Sequence, residues 1–356
     1  MLRKMETAGW DLFLTANVRS VYYFSGSFQP EDAPAVFLLR SDGTSTLLTS
    51  GKAPAYADHV HEIETYSLQR CVTQPYQDAA QILAPLLTPS SLTPSKICAV
   101  ERSRTAGIFE ELLQPVAIID ATAAVLRLRK RKLEDELDEI RESLRYCRAA
   151  YLAARAAIAP GVTEVDVHHA MYGAILAEAG TTVPFPGDFA CGQRSVRGGG
   201  PPTTYRLQSG DLYPLDIFPA PHYYYGDTCR TFCVGPPNEA QIRAFDTVRE
   251  SIRVGEAAIR PGVSARDVYA EVRRFLDDRP ESERSLWHHV GHGIGHHGHE
   301  APRIIPGSED TFEVGDVFTL EPGIYRPALG GGIRLEDNYV LRDNGVENLF
   351  DFEMEL

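Results

Sequence analysis

Asp216, Asp227, His292, Glu321 and Glu336 are the residues of this chain best suited to hold metal, and they follow one another along its second half. His292 lies in Trp287-His288-His289-Val290-Gly291-His292-Gly293-Ile294-Gly295-His296-His297-Gly298-His299-Glu300, which holds six of the chain's eleven histidines. Glycines separate the imidazoles, so side chains and backbone can both come close to something small. Four carboxylates in one cavity repel one another, and without a counter-charge some would stay protonated. Two divalent cations cancel the four negative charges. An oxygen-dominated set with one imidazole suits Mn, Co, Fe or Zn rather than a closed structural zinc. A metal pair roughly 3.5–4 Å apart can share a water, lower its pKa and polarise a carbonyl. That is equipment for hydrolysing an amide.

Each residue alone also has a purely structural reading. Asp216 and Glu321 can be strand-end carboxylates paired to arginine. Asp227 can be a turn acid, Glu336-Asp337 a solvated pair, and His292 the donor to a backbone carbonyl. It is the ordered combination that points to a site.

The elements that must position these residues read as two hairpins and an internal repeat. Asp216 and Asp227 flank a run of strand formers, Ile217 through Tyr225, with Pro219 and Pro221 marking a turn or bulge. Antiparallel neighbours would bring the two acids together. Glu321 and Glu336 bracket a second expected hairpin, turning through Ala328–Gly332, and Arg334 shares a strand face with Glu336. Ala157-Ile158-Ala159-Pro160-Gly161-Val162-Thr163 matches Ala258-Ile259-Arg260-Pro261-Gly262-Val263-Ser264 at an offset of 101 residues. Gly210-Asp211-Leu212-Tyr213-Pro214-Leu215-Asp216 matches Gly315-Asp316-Val317-Phe318-Thr319-Leu320-Glu321 at an offset of 105. Each copy predicts a helix end, a Pro-Gly turn, a Thr or Ser cap, a second helix and then a strand ending in a carboxylate. Two such halves facing each other bring Asp216 and Glu321 to one centre.

Residues 1–126 read as a separate α/β domain without grouped chemistry. Asp11–Thr15, Val36–Leu39, Ser45–Leu48 and Val116–Asp120 have strand character, Ser41-Asp42-Gly43 is a hairpin turn, and Gln77–Pro85 reads as helix. The basic run Arg127–Lys132, followed at once by Glu134, Asp135, Glu136, Asp138 and Glu139, predicts the solvated start of a long helix reaching about Ala159. It also marks the expected start of a second domain, residues 127–356.

A chain of 356 residues with 43% hydrophobic and 24% charged content has ample core for two such domains. Its net charge of −14 argues against nucleic acid or an anionic membrane as partner. No apolar run approaches the roughly 20 residues of a transmembrane helix. The basic start, Met1–Glu6, leads into no signal-like apolar block. The six cysteines lack a framework spacing, and reduced thiols in a cytoplasm are the expectation.

Three motifs carry a resemblance. They are Gly291-His292-Gly293-Ile294-Gly295 with His299-Glu300, Thr319-Leu320-Glu321-Pro322-Gly323-Ile324-Tyr325, and Gly332-Ile333-Arg334-Leu335-Glu336-Asp337, supported by Gly226-Asp227-Thr228 with Arg230-Thr231. Residues 130–356 thereby resemble the pita-bread metallopeptidases, the family of methionine aminopeptidase, Xaa-Pro aminopeptidase and prolidase. Residues 10–50 are similar to the creatinase-type N-terminal domain of the proline-directed branch. The resemblance implies an α+β pita-bread domain with a pseudo-two-fold repeat, preceded by a smaller α/β domain. It implies an Xaa-Pro aminopeptidase or dipeptidase acting on a proline-containing peptide through a hydroxide shared by two metals, manganese first among them. Asp216 would chelate one metal, Asp227 and Glu336 would bridge, and His292 and Glu321 would hold the second. Glu321 would also move a proton, His299 would stabilise the tetrahedral intermediate, and His288 and Arg334 would line the pocket. His289, His296 and His297 receive no role beyond the surface or the surroundings of the ligands. A homodimer is implied, with the N-terminal domain contributing to a neighbouring subunit.

The sequence also departs from the pattern. The family's upstream substrate-contacting histidine has no counterpart in Gly192–Thr204, and Phe218 and Tyr223 stand where glycines are expected. Aromatic Phe218 and Tyr223–Tyr225 are expected to narrow the pocket. Two alternatives follow from the departures: a hydrolase of the same fold and metals acting on a non-peptide or non-prolyl C–N bond, or a metal-binding homologue with little peptidase activity.

Overall fold

Alternation of apolar residues on short strands dictates the N-terminal unit, because successive side chains leave a strand on opposite faces. The computed structural model describes residues 1–29, 33–50, 56–63, 75–87, 96–103, 107, 111–113 and 116–356. It divides into two compact units, Met1–Leu128 and Arg129–Leu356. In the first, strands β1 (Leu12–Thr15), β2 (Val36–Arg40), β3 (Ser45–Thr49), β4 (His59–Glu62), β5 (Ile97–Val100) and β6 (Ala117–Asp120) form one sheet in the order β4-β3-β2-β1-β5-β6. Leu12, Leu14, Val36 and Leu38 pack with Ala79 and Leu83 of the helix Pro75–Leu86. Phe13, Phe37 and Leu47 pack on the other face with Met5, Val21 and Val125. The expected turn at Ser41-Asp42-Gly43 joins β2 to β3, with Asp42 Oδ1 accepting from the Thr44 amide at 2.8 Å. Cys71 lies outside the described residues.

The second unit repeats itself in its hydrogen bonds as well as its sequence. Helices Glu134–Ala157 and Glu164–Ala179 precede strands β8 (Leu212–Ile217) and β9 (Thr228–Cys233), with the two-residue β7 (Gly187–Asp188) on the free side of β8. Helices Glu239–Ala258 and Ala265–Asp277 precede β10 (His292–Gly293), β11 (Glu300–Arg303) and β12 (Val317–Leu320). Strands β13 (Gly323–Arg326), β14 (Gly331–Arg334), β15 (Asp337–Arg342) and β16 (Gly345–Asn348) complete the unit. In the first half the Gly161 amide donates to Leu207 O at 2.8 Å and the Leu207 amide to Val162 O at 2.9 Å. In the second, Gly262 donates to Phe312 O at 2.8 Å and Phe312 to Val263 O at 2.9 Å. The Gly210 and Gly315 amides likewise donate to Val234 O and Leu341 O, both at 2.8 Å. The caps are less alike: Thr163 Oγ accepts from the Asp166 amide, whereas Ser264 makes no side-chain cap bond.

Two details of the expectation are corrected. The turn between β13 and β14 is a 3-10 turn at Pro327–Leu329, and Gly331 and Gly332 are already strand. The basic run does not open the long helix. Arg127–Lys130 close the preceding helix, Thr122–Lys130, and the long helix starts at Glu134, where Glu136 accepts from the Leu133 amide at 2.9 Å. Arg129, Lys130 and Lys132 are buried because they neutralise distant acids: Lys130 reaches Asp316 at 2.8 Å, and Arg129 and Lys132 both reach Glu300.

Gly161 and Gly262 turn with φ of 87° and 85°, and a Cβ at either would meet nothing within 4 Å. Their cost on substitution is therefore backbone strain alone, on the order of 1 kcal/mol each. G161A and G262A should lower the unfolding midpoint of this unit by similar amounts, measured by urea denaturation. A large inequality would mean the two turns are not equivalent.

Candidate metal centre

Strand pairing brings the first two acids together. β8 is buried throughout and pairs antiparallel with β9, setting Asp216 opposite Cys229, while Asp227 immediately precedes β9. The Asp227 peptide is gripped at both ends by the Asn338 side chain, which accepts from its amide at 3.2 Å and donates to its carbonyl. Glu336 joins them through paired backbone bonds with Cys229, at 3.3 and 3.0 Å. From the other half, β12 ends at Leu320 and the Glu321 amide donates to Val290 O at 2.9 Å. His292, on β10, thereby stands with Nε2 3.1 Å from Glu321 Oε1 and 3.7 Å from Asp227 Oδ2. Possible ligand atoms of Asp227, His292 and Glu336 all lie within 4.8 Å of one another. His292 Nδ1 donates to Gly293 O at 3.0 Å, which leaves Nε2 as the ring atom that faces the acids.

The family models match in the same two places: metallopeptidase family M24 over residues 138–343, and the creatinase/prolidase N-terminal domain over residues 1–131. The chain belongs to metallopeptidase family M24. It is 31% identical to the Xaa-Pro dipeptidase of Pyrococcus furiosus over 64% of this chain and 65% of that one. It is 30% identical to the Xaa-Pro dipeptidase of Pyrococcus horikoshii over 73% of this chain and 75% of that one. Among solved structures, the prolidase from Pyrococcus horikoshii matches with a TM-score of 0.82 at 25% identity, covering 100% of this chain and 98% of that chain. The X-Pro aminopeptidase from Thermotoga maritima gives 0.84 at 23% identity, covering 99% of each, and shows the shared fold. The fold of this M24 member is accordingly a creatinase-type N-terminal domain followed by a pita-bread domain.

The donor atoms fit a divalent metal. Asp216 Oδ1 and both carboxylate oxygens of Glu336 are buried with no hydrogen-bond partner among the described residues. Orphaned buried carboxylate oxygens are expensive unless a cation takes them. Burial foremost, with neighbouring carboxylates adding to it, raises Asp227 and Glu336 well above the usual carboxylate range. Asp216 is pushed up to about 6 by burial, against the opposing charge of Arg334. Glu321 is the exception: burial would raise it, but His289 and His292 beside it hold it well below its ordinary value.

The remaining predicted residues also gather here. Arg334 donates through Nη2 to Asp216 Oδ2, stands 3.6 Å from Asp188 Oδ2, and donates through Nη1 to Tyr325 Oη at 3.2 Å. His288 Nε2 lies 2.7 Å from the same Tyr325 hydroxyl. The His299 ring centroid is 3.9 Å from that of His292. Burial pushes both His288 and His299 down to about 4, so both are neutral imidazoles at pH 7.

Three residues received no role from sequence reasoning. His289 Nδ1 comes within 3.1 Å of Glu321 Oε1, off the axis of a hydrogen bond, although nothing in its position distinguishes it from its histidine neighbours. Asp188 faces Arg334, a contact made by pairing of Asp188 with Asp216, 28 positions on, that spacing does not show. His296 is buried against Tyr224, ring centroids 4.2 Å apart, rather than at the surface. Tyr224 spends its hydroxyl on Glu136 at 3.0 Å, so its ring supports the histidine loop.

The sign of the Asp216 shift gives a pH dependence. A carboxyl whose folded pKa is raised stabilises the fold below its unfolded value of 3.8, and that contribution is lost as pH rises through about 6. Cations bind the deprotonated ligands, so they restore stability over that same window. The melting-temperature gap between manganese-saturated and metal-free protein should therefore widen from pH 5 to pH 7. A gap that stays level would count against the site.

Glu300 makes a separate test. Despite burial, Lys132 and Arg129 hold its carboxylate at about 2, and it accepts from the His297 amide at 3.2 Å. Its stabilisation is present above the ordinary value of 4.5 and lost as pH falls toward 2. E300Q should cost about 3 kcal/mol at pH 7 and little near pH 2, read by denaturant titration at both pH values.

Proposed function

We propose that this chain is a metal-dependent exopeptidase that hydrolyses the bond between an N-terminal residue and proline, as an Xaa-Pro dipeptidase or Xaa-Pro aminopeptidase. The observation that carries the reading is the buried convergence of Asp216, Asp227, His292, Glu321 and Glu336, with orphaned carboxylate oxygens, in an M24 chain. Asp216, Asp227, His292, Glu321 and Glu336 would together hold two divalent cations. Manganese suits this oxygen-rich set. When bound, the pair supplies Lewis acidity toward the scissile carbonyl and lowers the pKa of water in the site.

The chain's own groups do the rest. Glu321, ionised by its two histidine neighbours, takes and returns a proton. His299, a neutral imidazole beside His292, donates a hydrogen bond to the oxyanion of the tetrahedral intermediate. Arg334 holds Asp216 in place, and Tyr325 fixes the His288 ring. The family resemblance supports a homodimer. The free thiols of Cys98, Cys147, Cys191, Cys229 and Cys233 support a reducing compartment such as the cytoplasm. No helix among the described residues is long and apolar enough to cross a membrane.

A second reading, hydrolysis of a non-prolyl C–N bond on the same metals, is favoured by the absence of histidine from residues 192–204. Assay of Xaa-Pro dipeptides and longer Xaa-Pro peptides with manganese separates the two. Turnover of either supports the first reading. Tight metal binding with no turnover of either leaves the second reading and the metal-binding homologue with little peptidase activity. H299N should lower kcat by roughly 10²–10³-fold with metal content retained. Loss of metal together with activity would make His299 a ligand instead.

A further inference from the structure

The wall opposite Arg334 carries an acidic group that the proposed reaction does not use. Asp188 lies on β7, in register with Asp216 of β8, and its side chain is 38% exposed. Among the described residues it accepts no hydrogen bond, because Arg334 Nη2, bonded to Asp216, stands 3.6 Å away, beyond hydrogen-bond length. In the charge tally, two divalent cations offset Asp216, Asp227, Glu321 and Glu336, and Asp188 remains beside Arg334 with its side chain partly open to solvent.

The segment that lacks the family's histidine builds the rest of this wall. A Cβ on Gly199 would fall 1.7 Å from Asp188 Cγ, so no side chain can be carried there and the carboxylate fills that space. A Cβ on Gly198 would stand 3.2 Å from Trp287 Cη2. Consecutive α-carbons are about 3.8 Å apart, so one glycine pair lies against an indole on one side and a carboxylate on the other. Trp287 is 56% exposed, and its ring packs at 5.5 Å on Tyr325, the residue bonded to both Arg334 and His288. A partly exposed acid and a partly exposed indole, each held against one of two consecutive glycines, offer what an organic cation requires: a charge-assisted hydrogen bond for its head and an aromatic ring for its stem.

Resting on the Xaa-Pro reading above, we propose that Asp188 and Trp287 form a subsite for a cationic nitrogen of the substrate's first residue. Where that nitrogen belongs to the side chain, basic Xaa-Pro peptides are the preferred substrate class. The nitrogen is either a lysine- or arginine-type side chain or the α-ammonium, and the two are told apart by substrate.

The manganese-loaded, full-length protein is assayed for kcat/KM on lysyl-proline, norleucyl-proline, 6-aminohexanoyl-proline and hexanoyl-proline. Lysyl-proline should exceed norleucyl-proline by about tenfold or more, and 6-aminohexanoyl-proline should exceed hexanoyl-proline likewise. D188N should bring both ratios near one, and W287A should reduce them. If the α-ammonium is the ligand instead, norleucyl-proline exceeds hexanoyl-proline and D188N removes that difference, which also supports the subsite. Ratios unchanged in D188N, or in W287A should D188N fail to fold, overturn it and leave Asp188 as a counter-charge to Arg334. Should no Xaa-Pro peptide be turned over, the Xaa-Pro reading falls on its own. Calorimetric binding of L-lysine, L-norleucine and hexanoate to wild type and D188N then decides the subsite by the same ratios.

Discussion

Mutual repulsion among buried carboxylates governs this molecule. Asp216, Asp227, Glu321 and Glu336 are drawn into one space where burial and proximity disfavour their charges. The chain's own positive charge only partly answers them. Arg334 is committed to Asp216, and the histidines outweigh burial only at Glu321. Such an arrangement is costly in isolation and sensible only around cations. The supporting structure can be understood as what keeps these side chains from moving apart.

That support comes from duplication. Each half supplies a helix pair, a Pro-Gly turn and a strand that delivers a carboxylate, and the turns are closed by backbone hydrogen bonds of the same lengths. The halves then diverge where chemistry differs. The first contributes Asp216 and Asp227, while the second contributes His292, Glu321 and Glu336 on an elaborated sheet. Asn338 and the Cys229–Glu336 pairing stitch the two contributions together.

Much of this could be read from the amino-acid order. Metal chemistry demands particular residue types, so Asp216, Asp227, His292, Glu321 and Glu336 stood out, and the repeat at offsets of 101 and 105 indicated how they would meet. What could not be read depends on tertiary apposition. His289 differs from His297 only in what faces it. Asp188 gains meaning from its strand partner and from a glycine that leaves it room. The basic run was misread for the same reason: local charge pattern predicted solvated pairs, but Arg129, Lys130 and Lys132 answer Glu300 and Asp316, more than 160 positions away. Local rules describe a helix surface well and say little about which distant acid will need a cation.

The clamp on Glu300 bears on how the two units can be separated. Residues 129–132 sit at the very start of the second unit, yet they neutralise an acid adjoining His299. A truncation made at the start of the long helix, at Glu134, would look tidy on a secondary-structure diagram. It would strip away both cations and strand an uncompensated carboxylate under the histidine loop. An isolated second unit therefore has to keep those four residues as part of its foundation, even though no regular element shared with its helices or sheets contains them all.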